Sequence, residues 1–400
     1  MPAFADRLGR VQVANTTQMT NKARALREAG HNVIQMTIGE PDFATPPHAI
    51  EAAHKAALAG ETKYPPQDGT KRLKEAVQRK FKRDRGLEYP LDQICVGNGG
   101  KQVIFNAFMA TVNEGDEVVI PAPYWNAYPL MTRLMGATPV FVNCPQNNGF
   151  KLRPEDLDAA ITPKTKLLML NFPNNPSGAA CSGPELRRIA DVMLKHPHVW
   201  VVSDDMYEHL VYGDFAYDTI AAVEPKLRDR VLTVSGVSKT FAMTGWRIGF
   251  AAGPKDLVRA MVNMQGQATA GVSSVGQAAA AAALDGPQDE VPKMRESYRR
   301  RRDLVVDALN AMPGISCHRP EGAFYVYANV AGCLGRTTEG GRRIDSDDDF
   351  ALALLEEKYV ALVGGGGFGM SPYIRISYAT DEASLAEACT RMAAFVAALR

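Results

Sequence analysis

The chain is 400 residues long, 46% apolar and 22% charged, a composition that excludes a disordered chain, a collagen and a small disulfide scaffold. Lys and Arg total 45 against 44 Asp and Glu, and a net charge of +1 draws the molecule to neither nucleic acid nor an anionic membrane. What stays open is a local site for a small molecule, in a chain long enough for more than one lobe.

The N-terminal stretch Met1–Gln12 mixes acid and base without an apolar core, so it does not read as a signal peptide. Residues 1–47 show no strand–helix alternation and are expected to form an arm and part of a smaller lobe. From 48 to 286 the pattern is α/β. Short β-rich runs fall at Ile94–Val96, Glu117–Ile120, Pro139–Val142, Lys166–Leu170, Val199–Ser203, Val231–Val234 and Ile248–Ala251. Most are apolar on both faces, as strands of a covered parallel sheet are. Helical patterns at Gly100–Thr111, Asn126–Leu134 and Gly183–Lys195 separate several of them, which predicts a sheet with helices on both faces. The alanine run Ala278–Leu284 reads as a buried helix. Residues 287–400 change character: a charged helix over Pro287–Ala311, a β-like run Ala323–Ala328, a polar loop over Gly335–Asp349, a helix at Asp349–Lys358, a strand at Tyr373–Tyr378 and a final helix from Glu382. This predicts a smaller α+β domain. No run of about 18 apolar residues occurs, so no membrane span is expected. Six scattered cysteines without a CxxC pair suit free thiols in a reducing cytoplasm, not zinc or disulfides.

Open α/β sheets bind ligands beyond the carboxyl ends of their strands, and chemistry-bearing residues collect there. Gly97–Lys101 is a glycine turn opening a helix, a place for a phosphate. Asp204 ends an apolar strand, where a half-buried carboxylate wants a cationic partner such as a protonated ring nitrogen. Lys239 follows another strand, and a desolvated lysine is a usable amine nucleophile. Ser235, Gly236, Ser238 and Arg247 offer donors and a charge to the same phosphate. Trp125 can stack a flat ring. Arg375 faces away from Ile374 and Ile376 and can clamp a carboxylate through two parallel bonds. Singly, each has an ordinary explanation: a turn, a helix cap, a solvated lysine, a core tryptophan, a paired arginine. Together they are the parts that pyridoxal phosphate chemistry needs, where the cofactor is an electron sink and the protein tunes its pyridine nitrogen.

Longer motifs then carry a resemblance. They are Gly39-Glu40-Pro41-Asp42-Phe43, Tyr64 in Lys-Tyr-Pro-Pro, Gly99-Gly100-Lys101-Gln102, Pro123-Tyr124-Trp125 and Pro173-Asn174-Asn175-Pro176-Ser177-Gly178. Ser203-Asp204-Asp205-Met206-Tyr207, Ser238-Lys239, Met243–Gly249 and Arg375-Ile376-Ser377-Tyr378 continue them almost end to end. The chain resembles the class I, fold-type I pyridoxal-phosphate-dependent aminotransferases, in particular a bacterial aspartate aminotransferase subgroup whose members also take prephenate. The resemblance implies a seven-stranded, mostly parallel sheet in a large cofactor domain, a smaller α+β domain, and a homodimer with shared active sites.

It also implies roles. Lys239 would link covalently to the cofactor and shuttle the substrate proton, and Asp204 would pair with the pyridinium. Tyr207 and Asn175 would bond the phenolic oxygen, and Trp125 would stack on the ring. Gly99, Gly100 and Lys101, with Ser238 and Arg247, would hold the phosphate, and Tyr64 would reach the phosphate of a neighbouring subunit. Arg375 would bind the substrate α-carboxylate, with Gly39 closing over it. Lys101 at the mouth implies dicarboxylic substrates, with Asn15 or Thr16 adding a hydrogen bond. The expected reaction is aspartate plus 2-oxoglutarate to oxaloacetate plus glutamate, with prephenate or aromatic keto acids as the alternative. Ser235, Asp205, Ser177 and Gly364 depart from the family's usual Asn, Glu, Thr and Pro, and the run Gly364–Gly367 leaves the local loop geometry open. Gly364, Gly366 and Gly369 also spell GxGxxG, but the dinucleotide fingerprint requires a helix next, and Pro372 and a strand follow instead.

Overall fold

The computed structural model describes residues 4–11 and 15–400; the side chains of Asn15 and Thr16 lie outside the described residues. The strands in chain order are β1 (Ile34–Gln35), β2 (Ile94–Asn98), β3 (Glu117–Ala122), β4 (Thr138–Asn143), β5 (Thr165–Asn171), β6 (Trp200–Asp204), β7 (Val231–Gly236), β8 (Ile248–Ala252), β9 (Ser316–Cys317), β10 (Tyr325–Asn329), β11 (Val360–Ala361), β12 (Val363–Gly364) and β13 (Tyr373–Ser377). β2 to β8 form one seven-stranded sheet in the order β2-β8-β7-β6-β5-β3-β4. Only β8 runs against its neighbours; the other pairings are parallel.

Alternation along these strands builds two cores. Ile94, Val96, Val119, Leu168, Leu170, Val201 and Phe250 face one side and pack against helices Lys71–Arg85, Gly183–Lys195 and Ser274–Asp285. Cys95, Val118, Ile120, Leu167, Met169, Val202 and Ala251 face the other, against helices Gly100–Thr111 and Lys255–Ala268. Both faces are covered, so both must be apolar. Gly183–Lys195 begins with a capping box, Ser182 and Glu185 satisfying each other's backbone N–H groups.

The C-terminal residues build a third core around the four-stranded sheet β12-β13-β10-β9, with helices Glu290–Asn310, Asp347–Lys358 and Glu382–Ala397. The N-terminal segment departs from expectation. It carries a helix, Asn15–Glu28, and then β1, which pairs in parallel with β11. Met19, Ala23 and Leu26 form the helix's thin apolar stripe, packing near Val33, Leu355 and Ala361. Apart from Ala25 the rest of that helix is polar, which is why its period is hard to read.

The glycine run resolves into a one-turn helix, Gly365–Phe368, between β12 and β13. The buried Asp347 carboxylate organises it: Oδ2 accepts from the backbone N–H of Gly365, Gly366 and Tyr373 at 3.0, 3.1 and 3.2 Å. No long helix follows the GxGxxG string, so it lacks the geometry for a dinucleotide. All six cysteines are free and buried. Among the described residues no helix is long and apolar enough to cross a membrane.

Candidate active site

The strands deliver their polar carboxyl ends to one cavity of about 530 Å³, closed on the far side by Thr17, Thr20, Thr37, Ile38, Gly39, Glu40, Tyr325 and Arg375. From the sheet side come Gly100, Lys101, Trp125, Asn171, Asn175, Asp204, Tyr207, Ser238, Lys239 and Arg247. Eleven of the residues singled out from the sequence, Gly39 among them, therefore line one space. Gly99 does not line it but touches Arg247, and Tyr64 lies outside it, 96% exposed.

Asp204 ends β6 and is buried. Its Oδ2 accepts from the Tyr128 hydroxyl at 2.6 Å, and its backbone carbonyl accepts from Asn171 Nδ2 at 2.9 Å. Oδ1 has only a long bond from the Met206 N–H, 3.4 Å. Burial raises its pKa to about 6, against the opposing effect of the Tyr128 bond. A carboxylate so placed lacks a cation.

Lys239 extends into the cavity, and its Nζ donates to the Gly39 carbonyl at 2.6 Å. Burial lowers its pKa to about 8; Arg247 and Arg375 add to that, while Glu40 opposes it. The amine is thus readily freed of its proton, which a nucleophile requires. Gly39 is obligatory for close approach: a Cβ there would run into the Tyr325 hydroxyl. That hydroxyl shares a 2.9 Å hydrogen bond with Tyr207.

Arg375 on β13 is buried, with Nη1 donating to Asn175 Oδ1 at 3.1 Å and Nη2 to the Thr37 carbonyl at 2.5 Å. Tyr325 and Phe368 cover its faces at 5.0 and 4.8 Å. Its buried Nε has no hydrogen-bond partner among the described residues. At the other end, Lys101 Nζ sits 4.9 Å from the Trp125 ring and pairs with no carboxylate among the described residues. Burial lowers its pKa, as does Arg247.

The phosphate end is built from Gly99, Gly100, Ser238 and Arg247. Gly99 has φ 82°, outside what a side chain tolerates, and a Cβ would strike the Arg247 guanidinium. Arg247 Nη1 donates to the Thr244 carbonyl at 3.0 Å, which fixes its direction. Gly100 opens its helix, so free backbone N–H groups face the same end. Ser235 does not belong here. Its hydroxyl turns away to Glu208 Oε1 at 2.6 Å, because a buried carboxylate behind β7 competes for it. Tyr128, Tyr325, Thr17 and Thr20 are site residues that sequence reasoning passed over.

A buried carboxylate short of a cation, a depressed lysine, an anion end at a helix N-terminus and a ring-bearing wall fit pyridoxal phosphate. Arg375, a buried cation that lines the cavity with no carboxylate partner among the described residues, fits a substrate carboxylate.

Comparison with known proteins agrees. The family model for aminotransferase class I and II matches residues 31–392. An aspartate/prephenate aminotransferase of Cereibacter sphaeroides is 53% identical, covering 100% of both chains. The aspartate aminotransferase of Rhizobium meliloti has a crystal structure that covers 100% of both chains with a TM-score of 0.97 and 50% identity. That of Thermus thermophilus with maleate aligns over 99% of this chain and 100% of its own, at a TM-score of 0.92 and 38% identity.

Proposed function

The chain belongs to the aminotransferase class I and II family, pyridoxal-phosphate-dependent enzymes, and from that premise we propose that it moves the amino group of aspartate to 2-oxoglutarate, giving oxaloacetate and glutamate. The observation that carries the substrate choice is that Arg375 and Lys101 line one cavity and neither pairs with a carboxylate among the described residues. One suits an α-carboxylate and the other a second, distal carboxylate. The maleate held by the Thermus relative is a dicarboxylate of the same carbon count as aspartate. Prephenate is the second reading, supported by the name of the Cereibacter relative and by its own two carboxylates.

When bound, the cofactor supplies the electron sink that lets the substrate Cα–H bond ionise. The protein's own residues do the rest. Lys239 supplies the amine and then carries the proton at Cα. Asp204 keeps the ring nitrogen protonated. Tyr207 and Asn175 would donate to the phenolic oxygen, Trp125 would cover the ring face, and Ser238, Arg247 and the backbone of Gly99, Gly100 and Lys101 would hold the phosphate. Gly39 covers the substrate carboxylate on Arg375. Tyr64 extends from the surface to the phosphate of a second copy, which makes a homodimer the working unit. Six free thiols suit a cytoplasmic home.

Purified protein with its cofactor should show a visible band that bleaches on adding aspartate or glutamate. Lys101→Ser should raise the Michaelis constant for aspartate far more than for an apolar amino acid. Equal effects on both would remove the dicarboxylate assignment.

A further inference from the structure

Tyr128 lies outside the roles assigned above, yet it touches two residues that have them. Its hydroxyl bonds Asp204 Oδ2 at 2.6 Å, and its ring meets Trp125 edge-on, centroids 5.4 Å apart at 89°. Resting on the pyridoxal phosphate reading, we propose that Tyr128 is a positioning residue: it fixes Asp204 and Trp125 together and keeps the Asp204 carboxylate a weak base, so that the shared proton stays on the cofactor's ring nitrogen.

The geometry supports each part. Tyr128 is 2% exposed, and among the described residues the bond to Asp204 is the one hydrogen bond that engages its hydroxyl. A hydrogen bond to the ionised form stabilises that form. It also occupies Oδ2, which leaves Oδ1, with its long Met206 contact, as the oxygen free for a ring N–H. Burial beside Asp204 pushes the Tyr128 phenol well above its usual range, so it stays a donor at every working pH. The other groups that face Asp204 are Asn171 on β5, Lys239 and Tyr207, while Asp205 acts on Tyr128. Asn171 bonds only the backbone carbonyl, so among these Tyr128 alone donates from a side chain to the carboxylate. Trp125 and Tyr128 are three residues apart at the start of helix Ala127–Leu134. One helical turn therefore sets the stacking wall and the acid partner in a common frame.

The test is Tyr128→Phe, which keeps the ring and removes the hydroxyl. In the apoprotein, carboxyl ¹³C NMR should show Asp204 ionising about one pH unit higher than in wild type, a tenfold change in its constant. In the holoenzyme, the ¹⁵N shift of labelled cofactor should move toward the unprotonated pyridine, and kcat should fall roughly tenfold with KM for aspartate little changed. Tyr128→His, which can donate from its imidazole N–H, should restore part of both NMR signals and keeps the test available if the phenylalanine variant does not fold. An unchanged Asp204 midpoint and unchanged ¹⁵N shift, whatever the activity, would overturn the proposal. A failure of the cofactor reading is separate: wild type would then bind no pyridoxal phosphate, while the apoprotein titration would still answer for Tyr128.

Discussion

Asp204 and Lys239 face the same cavity with pKa values moved toward each other, to about 6 and about 8. Burial is the first cause in both, and it disfavours charge in both. This has a sign that can be checked. Asp204 binds its proton more tightly folded than unfolded, so its contribution is complete below the ordinary carboxylate range and is lost as pH rises through about 6. Asp205, raised to about 7 by burial and by Glu208, acts the same way. Glu208 acts oppositely, held down to about 2 by Lys80, but only below the ordinary range. The apoprotein should therefore lose on the order of 2–3 kcal/mol between about pH 5 and about pH 8. Urea midpoints at the two values measure this, and Asp204→Asn should flatten the slope. With cofactor bound the ring N–H answers Asp204, and the difference should shrink. Asp204 and Lys239 were legible in the sequence because one ends and the other follows an apolar strand, and Arg375 because it alternates with Ile374 and Ile376 in a strand. Tyr128 and Tyr325 were not, because a tyrosine in a helix turn or strand usually signifies packing. The one available signal was the three-residue spacing from Trp125.

At the scale of elements, two buried carboxylates hold loops that the site depends on. Glu208 lies in the turn after β6 and pairs with Lys80 of helix Lys71–Arg85 at 2.5 Å, both about 2% exposed. Ser235 on β7 donates to the same oxygen at 2.6 Å. Lys80→Met should cost about 3–5 kcal/mol, since it leaves the buried Glu208 carboxylate with only the longer 3.6 Å pairing to Arg85. Lys80→Met with Glu208→Leu should cost much less, and thermal denaturation of both would show the difference. Asp347 does the equivalent for the glycine run, and its loop carries Phe368 onto Arg375. Asp347→Ala leaves three N–H groups without an acceptor, about 2–4 kcal/mol. It should also raise KM for every amino acid substrate alike, because it loosens Arg375 and not Lys101. The sequence marked the run as unusual and could not say what holds it, because the acceptor lies seventeen residues upstream of Gly364 and only the folded chain brings them together. The helix Asn15–Glu28 was missed for a different reason: four apolar residues in fourteen leave little period to find.

At the scale of the molecule, the seven strands of the large sheet were readable as apolar runs to within a residue or two. A doubly covered sheet demands that pattern, and the pattern admits few other structures. The site's far wall was less readable. It comes from residues 17–40 and 325–375, which the pairing of β1 with β11 and the Arg375 bond to the Thr37 carbonyl bring together. Tyr64, 96% exposed, is the remaining test of assembly. If it completes the site of a second copy, Tyr64→Phe should weaken cofactor binding roughly tenfold. Sedimentation should still find a dimer. Unchanged cofactor affinity would show that each copy holds its cofactor alone.

The six buried cysteines carry one more consequence. A thiol reagent attacks thiolates, and burial pushes these thiols upward in pKa and hides them. The folded molecule is therefore chemically silent toward alkylation, and each cysteine becomes a clock for the opening of its own region. Cys95 and Cys181 report on the two sides of the large sheet, and Cys333 and Cys389 on the C-terminal core. Counting which of them is labelled first, as denaturant rises, would read out the order in which the molecule comes apart.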